Sequence, residues 1–536
     1  MSLATTAGHA HWADDGAPTQ AGGRLWPALD GLPAATAVGA AEASAESSAE
    51  PLPVDDPATG KVVGWCMPTD DAGIQAAVAR AAEVFPGWAA RSPQERAAAI
   101  VAGAEAIESR AGELTEMVVA EVGKPAFEAA GDVRGGAHLL RAFAAIAEEA
   151  AALHDLTGQD GTGGADEVLV HRSPLGPVAV ITPWNTPVYL TMNCVAPALV
   201  AGCTAVVKPA EAAPLGVTAA LRLLAAQLPD GVLQVVQGTG PDIGTALTSH
   251  PAVRGVTFVG GVVAGRQVLS SAAETIKKVS LELGGNDPAL VLADADLGED
   301  TLREMIAGCY AVSGQVCFNI KRIYVHRSRH EEFVEKFTAL VDQLVLGPGA
   351  ADGVHLGPLT TPGGYANARR LLEALAGDDV HLHEGGRVHP DADLDRGRYI
   401  RPTVVTGIAR DHELVLSEQF APIIPIIPVE DDDDAIAEAN RTEYGLCSSV
   451  WSADPDHARQ VARHIEAGNT FVGAHRVGAS PPLVPFGGVK QSGLGRNHLM
   501  HAIAECTEEH AIIRYDRPSE QIRGIDPWRS VRLPAE

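Results

Sequence analysis

The chain has 536 residues, 46% hydrophobic and 20% charged, too long for one hydrophobic core and ordinary in composition for a soluble globular protein. Its 40 basic and 68 acidic side chains give a net charge of −28, which argues against a partner such as a nucleic acid or an anionic membrane surface. Seven scattered cysteines (Cys66, Cys194, Cys203, Cys309, Cys317, Cys447, Cys506) form no C-x-x-C pair, so neither a disulfide framework nor a thiolate metal site is expected, and a cytoplasmic location is the simplest. No Lys or Arg precedes Arg24, which speaks against a signal peptide.

Residues 1–50 are rich in Ala, Gly, Ser, Thr and Glu without apolar periodicity and read as a poorly ordered extension. Order begins at a turn over Val54 to Lys61. From Ala72 to Ala152 the spacing is helical, with Ile74, Ala77, Val78, Ala81 and Phe85 on one face and an interruption expected at Pro86-Gly87. Ser92-Pro93-Gln94-Glu95 reads as a helix start and Gly123-Lys124-Pro125 as a break. Strands follow at Glu167 to Arg172, Gly176 to Ile181, Ala205 to Val207, Leu233 to Val236 and Gly255 to Phe258, with helices near 188–202, 214–227 and 242–249 between them. This alternation predicts a mostly parallel, doubly wound α/β sheet. Val188 to Val207 carries no charge, but its polar residues and Pro197 fit a buried helix and strand better than a membrane span.

A second α/β series has strands at Pro288 to Leu292, Lys321 to Val325, Thr403 to Val405 and Ile423 to Val429, with helices near 297–310, 329–342, 364–376 and 455–466. The acidic run Glu430 to Asp434 reads as a helix N-terminus, where carboxylates are favourable, rather than as a metal site. Gly238-Thr239-Gly240-Pro241-Asp242-Ile243-Gly244 comes near a dinucleotide fingerprint, with its last gap one residue too long.

Several stretches carry candidate chemistry. In Ser313-Gly314-Gln315-Val316-Cys317-Phe318 a thiol follows a glycine turn; Cys317 is either a small core residue or a nucleophile. Asn185, in Thr182-Pro183-Trp184-Asn185-Thr186-Pro187, follows a buried strand, where α/β sheets place ligands, although a turn asparagine reads equally well. Lys208 and Glu211, after the next strand, suit the hydroxyls of a ribose or an ordinary helix start. Glu282, in Leu281-Glu282-Leu283-Gly284-Gly285-Asn286, is a carboxylate between leucines, costly to bury and suited to general-base work if partly desolvated; a solvated strand end is the alternative. A glycine-rich stretch with two bases runs from Pro485 to Arg496.

Taken in order, with Glu418-Gln419-Phe420-Ala421-Pro422 and Asn440 to Leu446, these stretches resemble the NAD(P)-dependent aldehyde dehydrogenase superfamily from about Val54 to Tyr515. The resemblance implies an aldehyde dehydrogenase-like fold with a Rossmann-like NAD-binding domain (51–155 and 178–284), an α/β catalytic domain (285–485) and a small β bridging element (156–177 and 505–520) that joins a homodimer or homotetramer. It implies Cys317 as the nucleophile toward an aldehyde, Asn185 as oxyanion donor and Glu282 as the base that hydrolyses the acyl-cysteine. Cofactor contacts are implied at Thr182, Pro183, Trp184, Lys208, Glu211, Gly240, Gly244, Gly260, Gly261, Leu283, Gly284, Glu418 and Phe420. A carboxylate at Glu211 repels a 2′-phosphate, so NAD is favoured over NADP. A CoA-acylating semialdehyde dehydrogenase or a non-catalytic scaffold is the alternative; the first commonly lacks the Glu282 carboxylate and the second the nucleophile.

The sequence departs from the family pattern in places. Phe258-Val259-Gly260-Gly261 lacks a serine usual near the pyrophosphate; Ala311 and Thr186 replace common aromatics; Asn497 replaces a glutamate after Gly495-Arg496. The smaller Ala311 and Thr186 would alter the substrate tunnel.

Overall fold

The structure is a computed structural model and describes residues 50–516 except 161, 163, 164 and 376–379. All but the last residue of the expected N-terminal extension, and residues 517–520 of the expected bridging element, lie outside the described residues.

A hairpin of Leu52–Asp55 and Val62–Cys66 opens the fold. Its turn is closed by Asp56, whose carboxylate accepts from the Ala58 amide (2.8 Å) and the Thr59 hydroxyl (2.7 Å). Helices Asp71–Ala89, Pro93–Ser109, Ala111–Val122 and Ala126–Ala145 follow. Ser92 and Glu95 form a capping box, and Gly123, at φ +84°, ends the third helix. Pro86 does not interrupt the first helix, contrary to expectation. It stands in the last turn, where its missing N–H costs one bond while its carbonyl still accepts from the Ala90 amide.

The first sheet has the order Gly493–Leu494, Lys278–Glu282, Gly255–Val259, Pro177–Ile181, Thr204–Lys208, Leu233–Val235, parallel except for the short first strand. Alternate side chains of Pro177–Ile181 serve different cores. Val178 and Val180 pack with Pro187–Ala201 and Leu215–Ala225, while Ala179 and Ile181 pack with Asp71–Ala89 and Val262–Ala272. Both faces are thus covered, which is why these strands read as unbroken apolar runs. The winding reverses between Pro177–Ile181 and Gly255–Val259, opening a crevice at their C-terminal ends of the kind that takes a ligand.

The second sheet, in the order His381–Glu384, Thr403–Thr406, Ile423–Val429, Ile320–His326, Asp287–Val291, Cys447–Trp451, Asn469–Val472, is parallel except for its first strand. It too is covered on both faces. The acidic run does begin a helix, Asp432–Asn440, with Asp431 capping the Asp434 amide. Gly240–Gly244 forms one wide π-type turn before a short helix, Thr245–Ser249, where a single helix over 242–249 was expected.

A third, antiparallel sheet joins His154–Asp155, Glu167–Pro174 and Thr507–Arg514. Among the described residues no helix is long and apolar enough to cross a membrane, and Val188 to Val207 is the buried helix and strand expected.

Candidate active site

The crevice of the first sheet collects one set of predicted residues. Thr182 follows Ile181, and its hydroxyl pairs with that of Thr191 at 2.7 Å, pinning the loop 182–186 to the helix it leads into. Trp184 meets Phe420 edge-on, with ring centroids 5.7 Å apart. At the end of the neighbouring strand Lys208 is buried, and its Nζ donates to Glu211 Oε2 at 3.2 Å, while Glu211 itself is half exposed. Gly260 and Gly261 lead into helix Val262–Ala272; the Gly260 amide donates to the Glu282 carbonyl, and a side chain at Gly261 would meet open space. A helix N-terminus of this kind favours an anionic group. Gly240 and Gly244 lie in the wide turn beyond the outermost strand, on the Lys208 side. Pro183 completes the 182–186 loop.

Cys317 lies in a loop between a turn at Ala311–Gly314 and strand Ile320–His326. The loop is held by buried side chains on several sides. Lys321 Nζ donates to the carbonyls of Gly314 (2.7 Å) and Val316 (2.8 Å), and lies 4.9 Å from the centre of the Phe420 ring. His475 Nε2 donates to the Phe318 carbonyl at 2.8 Å, which fixes the proton on that nitrogen because a carbonyl only accepts. Thr360 N donates to Gln315 Oε1 at 3.0 Å. Gly314 is required here: a side chain would lie 2.5 Å from the Ala421 carbonyl, and its φ is +80°.

Asn185 reaches this loop from the crevice. Its Nδ2 donates to the Gln315 carbonyl at 2.8 Å, and its Oδ1, buried, has no protein partner. Behind it Lys124 Nζ bridges the Asn185 carbonyl (3.0 Å) and Asp132 Oδ2 (2.8 Å) in a fully buried ion pair.

Two carboxylates flank the glycine pair at 284–285. A side chain at Gly284 would lie 2.3 Å from Glu418 Oε2, and the Gly285 amide donates to Glu418 Oε1 at 3.1 Å. A side chain at Gly285 would lie 2.6 Å from the Cys317 carbonyl. Leu283 is buried, and its amide donates to the Ser492 carbonyl. Glu282, 6% exposed, ends the strand beside this pair, its Oε1 facing Gly487. Burial pushes the Glu282 carboxyl up to about 8, with the Arg496 guanidinium pulling it part of the way back, and burial pushes Glu418 up to about 7 against the pull of Lys321. The Cys317 thiol is raised well above its ordinary value by burial, then by Glu282, Glu418 and Asp287, with Lys321 opposing. Glu282, Glu418 and Asp287 thus all bear on the thiol electrostatically, with Lys321 as the opposing cation.

Residues 44–512 match the aldehyde dehydrogenase family over most of the chain's length. The chain belongs to that family. It is 34% identical over 458 residues to the glutarate-semialdehyde dehydrogenase of Pseudomonas putida, covering 85% of this chain and 93% of that one. An aldehyde dehydrogenase of Mycobacterium tuberculosis solved with NAD+ shares 34% identity at a TM-score of 0.81, over 87% of this chain and 95% of that one. An NADP-dependent enzyme of E. coli shares 31% identity, also at a TM-score of 0.81, over 87% and 94%. The protein is accordingly an oxidoreductase that oxidises an aldehyde, with an NAD(P) cofactor, on an aldehyde dehydrogenase fold of Rossmann-like and catalytic parts.

Several side chains that build this dehydrogenase's site escaped the sequence reading. In the sequence Lys124 stands out only as part of a helix break and Lys321 only as part of a strand. Two adjacent bases, Lys321 and Arg322, at the start of a buried parallel strand were the available signal for Lys321, since a buried charge needs partners. His475 and Glu128 carried none, because the partners through which they hold the Cys317 loop lie far away in sequence.

Proposed function

We propose that this enzyme oxidises its aldehyde to the carboxylic acid through an acyl-thioester on Cys317, with Asn185 as oxyanion donor and Glu282 as hydrolytic base. The observation that carries this reading is the chain of contacts joining three separate segments: Asn185 bonds the Cys317 loop at the Gln315 carbonyl, and the Cys317 carbonyl lies against Gly285, beside the Glu282 strand end. Cys317 Sγ attacks the carbonyl carbon, its proton passing to a neighbouring carboxylate. The Asn185 carboxamide and the Cys317 amide bond to the resulting oxyanion. The thiohemiacetal carbon then gives up a hydride as the C=O bond re-forms. Bound NAD(P) supplies the acceptor for that hydride. Glu282 takes a proton from water, whose oxygen attacks the thioester; the acid leaves and the thiol is restored.

The crevice suits a dinucleotide: Gly261 leaves room at a helix N-terminus beside Gly260, Lys208 and Glu211 suit a ribose, and Trp184, Leu283, Gly284, Glu418 and Phe420 would line the nicotinamide end. The half-exposed carboxylate of Glu211 supports NAD over NADP. On the same reading, 51–155 with 178–284 form the cofactor domain and 285–485 the catalytic domain. The sheet in 156–177 and 505–520 then pairs copies of the chain. Thr507–Arg514 is an edge strand with Ile512 and Ile513 exposed, which supports that pairing.

The test is NADH formation from a panel of aldehydes with and without CoA, beside a Cys317→Ala variant. Turnover without CoA that is lost in the variant supports the reading. Strict dependence on CoA, or appreciable turnover in the variant, overturns it.

A further inference from the structure

The turn before Cys317 runs through three successive left-handed residues: Val312 (φ 51°, ψ 39°), Ser313 (φ 56°, ψ 39°) and Gly314 (φ 80°). Gly314 adopts this conformation freely, but Val312 is β-branched, and for such a side chain left-handed backbone is a costly outlier that persists only where its surroundings enforce it. Its carbonyl accepts from the Gln315 amide and from Gln315 Nε2, both at 3.0 Å. Ser313 Oγ donates to the Gly357 carbonyl at 2.9 Å. The Val312 N–H is held from outside the loop, donating to Glu128 Oε1 at 2.8 Å across 184 residues of chain.

Glu128 stands near the start of helix Ala126–Ala145. Its Oε2 is buried with no protein partner, so the Val312 amide is its one described hydrogen-bond donor. A carboxylate buried with half its hydrogen-bonding capacity unused is costly, and the loop it grips carries Cys317. We propose that Glu128 is a positioning residue for the nucleophile: by holding the Val312 amide it keeps the strained turn closed and sets where the Cys317 thiol sits. The inference rests on the reading of Cys317 as nucleophile. Its distinguishing consequence is that relieving the strain at Val312 replaces the work of Glu128.

The experiment is a double-mutant cycle in the full-length enzyme, with Glu128→Met (same bulk, no acceptor), Glu128→Gln (acceptor kept), Val312→Gly and the Glu128→Met/Val312→Gly pair. Two rates are read: the NADH burst of the first turnover, and alkylation of Cys317 by iodoacetamide, quantified on its peptide. Alkylation needs neither aldehyde nor cofactor, so it reports loop geometry whether or not Cys317 carries an acyl group, and Cys317→Ala tests that role separately. Glu128→Met should slow the burst by about 10²-fold, the scale of an ångström's misplacement of a reacting group. Glu128→Gln should stay near wild type in both rates. Adding Val312→Gly to Glu128→Met should restore the burst by about tenfold, a coupling ordinary for residues in contact. A Glu128→Gln variant as slow as Glu128→Met, or a pair whose loss is the product of the single losses, overturns the proposal.

Discussion

Asn185 Nδ2 donates to the Gln315 carbonyl at 2.8 Å, two residues before Cys317, so the carboxamide is tied to the loop that it would serve as oxyanion donor on the proposed reading. An oxyanion formed at Cys317 competes for that donor, and a charged acceptor binds it more strongly than a neutral carbonyl does. Asn185→Ala therefore removes a donor used mainly in the transition state. The burst of the first turnover should fall by roughly 10²–10³-fold, with little change in cofactor affinity. Rapid-mixing absorbance and a cofactor titration separate the two.

Glu282 gives a pH prediction with a definite sign. Burial raises its carboxyl to about 8, and only the ionised form accepts a proton from water. Turnover limited by hydrolysis of the thioester should thus rise with pH through a midpoint near 8 and level off above it. Glu282→Gln should leave the burst and stop steady turnover at every pH. Stability runs the other way: the unfolded carboxyl ionises near 4.5, so the contribution of Glu282 falls as pH rises from there through about 8, and Glu282→Gln should make the decline shallower while buried Glu121 and Glu418 keep their share of it. Denaturant unfolding across that range checks it.

On the proposed reading, cofactor choice turns on Glu211. Its carboxylate, 43% exposed and 3.2 Å from Lys208 Nζ, would meet a 2′-phosphate with like charge. Glu211→Gln should improve kcat/KM for NADP relative to NAD by roughly ten- to a hundredfold, the scale on which like-charge contact excludes a partner. Initial rates with both cofactors decide it.

The Lys124–Asp132 pair is 1% exposed at both side chains. Removing one partner strands the other charge, so Lys124→Met or Asp132→Asn should each cost about 3–5 kcal/mol of stability. Replacing both by apolar residues should recover much of that loss. Lys124→Met should also slow the burst in the surviving folded enzyme, because Lys124 holds the Asn185 carbonyl. Urea midpoints and burst rates measure the two effects.

Pro177–Ile181, Thr204–Lys208, Leu233–Val235 and Gly255–Val259 of the first sheet were legible because both faces are buried and their sequences are largely apolar; Lys278–Glu282, with a charge at each end, was not. Neither was Cys447–Trp451. Its Ser448 and Ser449 interrupt the apolar pattern, yet both are fully buried with their hydroxyls satisfied by Thr470, Trp451 and His475. The site followed the same division. Cys317, Asn185 and Glu282 stand in short local stretches whose order along the chain is informative. Lys321, Glu128 and His475 act on the Cys317 loop through contacts that only the folded chain brings together, Glu128 from 184 positions away. Periodicity reports which face of an element is buried; it carries no information on which distant carbonyl or amide a polar side chain will find there.

The antiparallel pairing of Glu167–Pro174 with Thr507–Arg514 has a consequence for synthesis. Its terminal partners, Glu167 and Arg514, stand 347 positions apart. At 5–20 residues per second a ribosome needs roughly 15–70 s to travel that distance. During that interval Glu167–Pro174 offers an open edge to any nascent neighbour on the same messenger, while the two larger sheets are still being completed. The last of the described strands is the one that covers it, so a chain stalled before Thr507 leaves the ribosome with that edge uncovered.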